Sequence, residues 1–165
     1  MTPAQAAFIV GLATAGLVIA IVAAVIVMAD RRAVGGGAIG IVERLSRPST
    51  ARLEVGRWAY VAHRISGLSI FAFLILHLAD VALIAVSPEL YDEVHLLYGT
   101  APLRVFEVAL LAGILFHALN GMRLLVLDLV DVTGRTAERL LWLVLGVTAL
   151  LVIPAAGVIL GPVLR

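Results

Sequence analysis

The sequence predicts an all-α integral membrane protein with four transmembrane helices, and three observations predict it. Of the 165 residues, 62% are hydrophobic and only 14% are charged, more apolar surface than a water-soluble chain of this length can cover. The apolar residues gather in four long runs, each enough to cross a hydrocarbon core about 30 Å thick. The basic residues, all arginine, are unevenly spread: half of the 12 lie within residues 31–57. The chain has no cysteine, which removes disulfides, thiolate zinc sites and cysteine-ligated iron–sulfur clusters. No basic stripe with interleaved aromatic residues appears, so nucleic acid is excluded as a partner.

Residues 6–29 form the first run. No positive charge precedes it, and it is longer than the apolar region of a signal peptide, so it reads as a span. Gly11 and Ala15 give it a small-residue packing face. Residues 31–57 read as a polar linker. Arg31, Arg32, Arg44, Arg47, Arg52 and Arg57 flank two membrane ends there, which places the linker in the cytoplasm and the N-terminus outside. Gly35, Gly36 and Gly37 mark a turn, and residues 38–45 are a candidate surface helix.

Residues 58–86 are the second span. Trp58 and Tyr60 suit its interfacial start. It carries an unusual polar load: His63, Arg64, Ser66, Gly67, His77 and Asp80. His63 and His77 are nearly four whole turns apart, so they share a face about 21 Å apart along the axis. Residues 87–100 form an outside loop, net acidic, in which Ser87, Pro88 and Glu89 spell a helix start. His95 is expected there as a solvated side chain. Residues 101–129 are the third span and residues 130–138 a short inner loop. Residues 139–164 are the fourth span, with a kink expected at Pro154 and a packing pair at Gly157 and Gly161. Both termini then lie outside.

Ionisable groups inside a span point to function. Two clusters qualify, both toward the cytoplasmic side. One is Tyr60, His63, Arg64 and Ser66. The other is His117 with Asn120, Arg123 and Asp128. The two spans are antiparallel neighbours, so these ends can meet. Gly113, His117 and Gly121 recur every four residues and share a face. They set bare backbone one turn above and below an imidazole, the relief a flat macrocycle such as haem needs to reach its ligand. An interhelical hydrogen bond is the competing role for His117, and snorkelling is the competing role for Arg64 and Arg123. A buried arginine seeks an anion or strong acceptor: a haem propionate, a quinone carbonyl, Asp128 or a partner's carboxylate. His77 lies one turn before Asp80. A histidine–aspartate pair is expected, with ligation of a second haem as the alternative.

HRISG at residues 63–67, followed by FHALNGMRLLVLD at residues 116–128, resembles the cytochrome b membrane-anchor subunit of succinate dehydrogenase, respiratory complex II. The resemblance covers residue 58 onward and is closest to the actinobacterial type, which also has the later HL and SP in this order. It implies a three-helix anchor core at residues 58–165, joined by the linker at 31–57 to an extra N-terminal span within residues 1–30. It implies a second membrane anchor subunit, which shares haem b with this chain, one histidine from each. His117 falls on the haem-ligand position of the H-x-x-x-G-x-R motif. His63 and Arg64 fall on positions near the haem propionates and the quinone, and Ser66 on the motif's serine or threonine. His77 is similar in position to the second ligand of fused two-haem anchors, which leaves one haem or two open. A flavoprotein subunit and an iron–sulfur subunit dock on the cytoplasmic side, and electrons pass from succinate to a menaquinone or ubiquinone. The chain itself carries no catalytic residue for succinate.

The sequence departs from the family at three places. Tyr60 replaces a serine that often lines the quinone site, Leu124 replaces a histidine after the motif arginine, and the N-terminal span is additional. The expected setting is the cytoplasmic membrane of a bacterium. Two other readings accompany this one: a quinol:fumarate reductase anchor, and a haem-free anchor whose histidines only join helices.

Overall fold

The computed structural model describes residues 1–34, 48–130 and 133–164. Its order is α1 (Pro3–Val34), α2 (Pro48–Val86), α3 (Pro88–His95), a 3-10 turn (Leu96–Gly99), α4 (Ala101–Leu129) and α5 (Gly134–Leu164). Among the described residues there is no strand. Four segments are long and apolar enough to span a membrane: Pro3–Ala29, Gly56–Val86, Ala101–Leu129 and Gly134–Leu164. At about 1.5 Å per residue each exceeds a hydrocarbon core.

The helices outrun the apolar runs where the sequence suggested loop. α1 continues to Val34, and α2 begins at Pro48, a residue that needs no amide donor and is preset for a first turn. The expected turn at Gly35, Gly36 and Gly37 and the surface helix at residues 38–45 lie outside the described residues, as do the side chains of Arg31, Arg32, Arg44, Arg47 and Arg52. The inner loop at residues 130–138 is shorter than expected, because α5 starts at Gly134. α5 continues through Pro154 and Pro162.

α4 and α5 form a closely packed hairpin, and α2 packs on α4. The buried core is small, with Ala59, Val61, Leu103, Leu141 and Val144 on the long helices and Val94 on α3. Most large apolar side chains are exposed, which suits a chain surrounded by lipid and neighbouring subunits. α1 rests on α2 and α3. A Cβ at Gly11 would lie 3.8 Å from Leu76 Cδ2, an ordinary contact, so the small-residue face of α1 meets α2. Beside Gly157 and Gly161 an added Cβ meets nothing within 4 Å, so none of the described residues packs on that glycine pair.

The segment between α2 and α4 folds as its residues suggest. Ser87 caps α3: its hydroxyl oxygen accepts from the Leu90 amide at 3.3 Å, and Pro88 starts the helix. α1 is fastened to this segment. Thr2 Oγ1 donates to Glu93 Oε2 at 3.1 Å, Gln5 Nε2 donates to the Glu93 carbonyl at 3.0 Å, and Phe8 contacts Tyr98 with ring centroids 5.9 Å apart. The start of α1 and the α3 turn therefore share one end of the bundle.

Candidate functional site

His63 and Ser66 on α2 and His117 on α4 meet, as the antiparallel pairing requires. The two imidazoles stack face to face, centroids 4.0 Å apart and planes within 1°. His117 Nδ1 lies 3.1 Å from the His63 carbonyl oxygen and 3.3 Å from Ser66 Oγ. Ser66 Oγ donates to the same carbonyl at 2.9 Å. A carbonyl oxygen only accepts, so the ring nitrogen beside it carries the proton. That assigns the Nδ1–H tautomer to His117 and leaves Nε2 with a free lone pair, the form in which an imidazole binds a metal.

One glycine, Gly67, lets the rings stand this close, and two others lie beside them at ordinary contact distance. A Cβ on Gly67 would lie 2.7 Å from His117 Cε1, a distance that real side chains do not adopt. A Cβ on Gly121 would lie 3.5 Å from His63 Cε1, and one on Gly113 4.0 Å from Ser66 Cβ. The face built from Gly113, His117 and Gly121 is thus turned toward α2. The close approach at Gly67 is not visible in the α4 periodicity. Its signal is the small residue placed directly after Ser66.

Tyr60 and Arg64 lie one turn apart on α2, with the guanidinium 5.3 Å from the centre of the phenol ring. Both are exposed, Tyr60 at 51%, and they stand at the end of the bundle where α2 enters the membrane. Arg123 does not reach out of the bundle in the same way. Its Nε and Nη2 both donate to the Ala137 carbonyl at 3.2 Å, and Nη1 donates to Asn120 Oδ1 at 3.3 Å. Arg123 therefore ties α4 to the first turn of α5, and Asp128 is exposed. Asn120 is 0% exposed, and its Nδ2 has no partner.

His77 is not paired with Asp80. Its ring is exposed and stacks on Phe73 at 5.5 Å. Asp80, 4% exposed, accepts instead from the Tyr98 hydroxyl at 2.9 Å, because the 3-10 turn carries Tyr98 over that face of α2. Burial, and then the bond to Asp80, push the Tyr98 hydroxyl above the ordinary phenol range. His95 is exposed, as expected, stacks on Tyr91 and meets Tyr98 at a tilt. Arg104, unremarked in the sequence, donates from Nη1 to the Ile159 carbonyl at 3.0 Å near the C-terminal end of α5, where a cation is favoured. Among the described residues no three His, Asp or Glu side chains converge on a metal position.

A cavity of about 350 Å³ lies between α1, α2 and α4. Leu12, Ala15 and Gly16 wall it on α1, and it ends against Ser66 and Gly113 beside the histidine pair.

Comparison with known proteins gives a family and two relatives. The family model for the succinate dehydrogenase/fumarate reductase transmembrane subunit matches residues 43–155, a segment that begins after α1. The succinate dehydrogenase 2 membrane subunit SdhC of Mycobacterium tuberculosis is 41% identical over 122 residues, 73% of this chain and 89% of that protein. A succinate dehydrogenase hydrophobic membrane anchor subunit of Halobacterium salinarum is 35% identical over 77 residues, 46% of this chain and 59% of that protein.

Proposed function

Because the chain belongs to the succinate dehydrogenase/fumarate reductase transmembrane subunit family, we propose that it forms half of a haem b and quinone site. His117 would supply one nitrogen ligand to the haem iron. The observation that carries this reading is the bond from His117 Nδ1–H to the His63 carbonyl, which holds Nε2 unprotonated. When bound, the haem supplies a one-electron carrier within the membrane. The chain's own residues hold and orient it. The stacked His63 and the Ser66 hydroxyl fix the angle of the His117 ring. Gly113 and Gly121, expected to face the flat ring system, instead let Ser66 and His63 of α2 pack against α4 on either side of His117. Arg64 and Tyr60 present a guanidinium and a phenol to a propionate or a quinone carbonyl.

The arginines of residues 31–57 set that end of the bundle in the cytoplasm of a bacterial cell, with the N-terminus outside. A second membrane anchor subunit completes the haem site, and the iron–sulfur and flavoprotein subunits dock on the cytoplasmic side. Protons for quinone reduction then enter from the cytoplasm, past Tyr60, His63 and Arg64. Residues 58–165 form the anchor core, and α1 is an addition to it.

A reduced-minus-oxidised optical spectrum of the purified complex tests this. A b-type α-band that vanishes in His117→Ala is the expected result. A fully assembled wild-type complex with no such band would leave the histidines as helix-joining groups only. Arg64→Leu should depress quinone reduction while succinate oxidation by an artificial acceptor continues. Haem stoichiometry decides His77: one haem per complex leaves it packed on Phe73, and two make it a ligand.

A further inference from the structure

We infer that Ser66 and Gly67 are positioning residues for His117, setting its tautomer and the donor strength of its Nε2. The inference rests on His117 being a haem ligand, as proposed above. Two acceptors face the His117 Nδ1–H. The His63 carbonyl stands at 3.1 Å and Ser66 Oγ at 3.3 Å. The single hydroxyl proton of Ser66 is already given to the His63 carbonyl at 2.9 Å. Toward the ring, therefore, Ser66 Oγ can only accept. The ring proton is shared between two oxygens, one of which polarises the other. Such bonds raise the basicity of the opposite ring nitrogen and favour the oxidised state of a metal bound there. Gly67 supplies the space. With any larger residue, Cβ would lie 2.7 Å from His117 Cε1, and the ring would turn away from both acceptors.

The two positions are distinguishable from mere packing. Ser66→Ala removes one acceptor and no bulk that the helices require. Its effect on the tautomer is measured by ring nitrogen NMR on the assembled complex stripped of haem. The His117 signal should read Nδ1–H in wild type. In Ser66→Ala the ratio should move about 2- to 10-fold toward Nε2–H, the range that one net hydrogen bond allows. In the haem-loaded complex Ser66→Ala should shift the reduction potential positive, and Ser66→Thr should restore it. Gly67→Ala should lose haem several-fold, with an altered ligand signature in the remainder.

Wild-type His117 found as Nε2–H, or a potential and tautomer unmoved in Ser66→Ala, would overturn the assignment. So would full haem retention with a wild-type spectrum in Gly67→Ala. A wild-type complex without a b-type spectrum would instead overturn the parent reading, and the NMR arm would still report on the tautomer.

Discussion

Replacing Arg123 with Met should destabilise the anchor by about 2–4 kcal/mol, through two separable losses. The first is the tie between α4 and α5. Arg123 Nε and Nη2 share the Ala137 carbonyl at 3.2 Å. A hydrogen bond between helices in a membrane bundle contributes on average about 0.6 kcal/mol, and at most about 1.7. The second loss is larger. Asn120 is 0% exposed and its Nδ2 is already without a partner. Oδ1 is satisfied by Arg123 Nη1 at 3.3 Å. Removing the guanidinium strands that oxygen too, at about 1–3 kcal/mol. If this reasoning holds, Asn120→Leu introduced into Arg123→Met should recover the second loss, because no buried amide is left to strand. The double variant would then be more stable than Arg123→Met alone by about 1–3 kcal/mol. Detergent-solubilised complex, titrated with denaturing detergent and followed by circular dichroism, reads both values. A double variant no more stable than the single would refute the account, as would an Arg123→Met cost below about 0.5 kcal/mol.

The same structure fixes three smaller expectations. Thr2→Ala with Gln5→Ala removes both hydrogen bonds to Glu93. It should lower, several-fold, the cross-linking yield between cysteines placed at Gly11 and Leu76 in this cysteine-free chain. Asp80→Asn should bring the ionisation of Tyr98 part of the way back toward the ordinary phenol range on ultraviolet titration, since burial, the larger cause, remains. The Glu89 carboxyl is held below its usual range, first by the Ser87 hydroxyl at 2.8 Å. A depressed carboxylate contributes stability above its usual titration range, and the contribution is lost as pH falls through the lowered value. Ser87→Ala should therefore raise the Glu89 titration midpoint in a carbon-detected NMR titration and make the stability of α3 less dependent on pH across the acid range.

Much of the fold is legible in the sequence because bilayer thickness acts on composition directly. Four apolar runs of the right length leave few other solutions, and Ser87 with Pro88 announces α3 by local chemistry alone. Helix ends are less legible. Residues near Asp30 and Pro48 are polar, and polarity says where a helix leaves the hydrocarbon, not where its hydrogen-bonding stops.

At the candidate site, the four-residue spacing of Gly113, His117 and Gly121 shows which groups share a face, but it cannot show what that face meets. In the structure it meets α2, and the distances rank the glycines differently from the periodicity. Added carbon atoms at Gly113 and Gly121 would sit in ordinary contact at 4.0 and 3.5 Å, whereas at Gly67 the same atom would strike the His117 ring at 2.7 Å. The glycine with no room to spare lies on the opposite helix, outside any pattern centred on His117. Asp80 follows the same logic: its neighbour by helical spacing is His77, yet its hydrogen bond comes from Tyr98, eighteen residues on and across a turn. Periodicity orders side chains within one helix, while the steric and hydrogen-bonding demands that define this site act between helices. A single chain read alone therefore names the imidazole before it can name the groups that hold it.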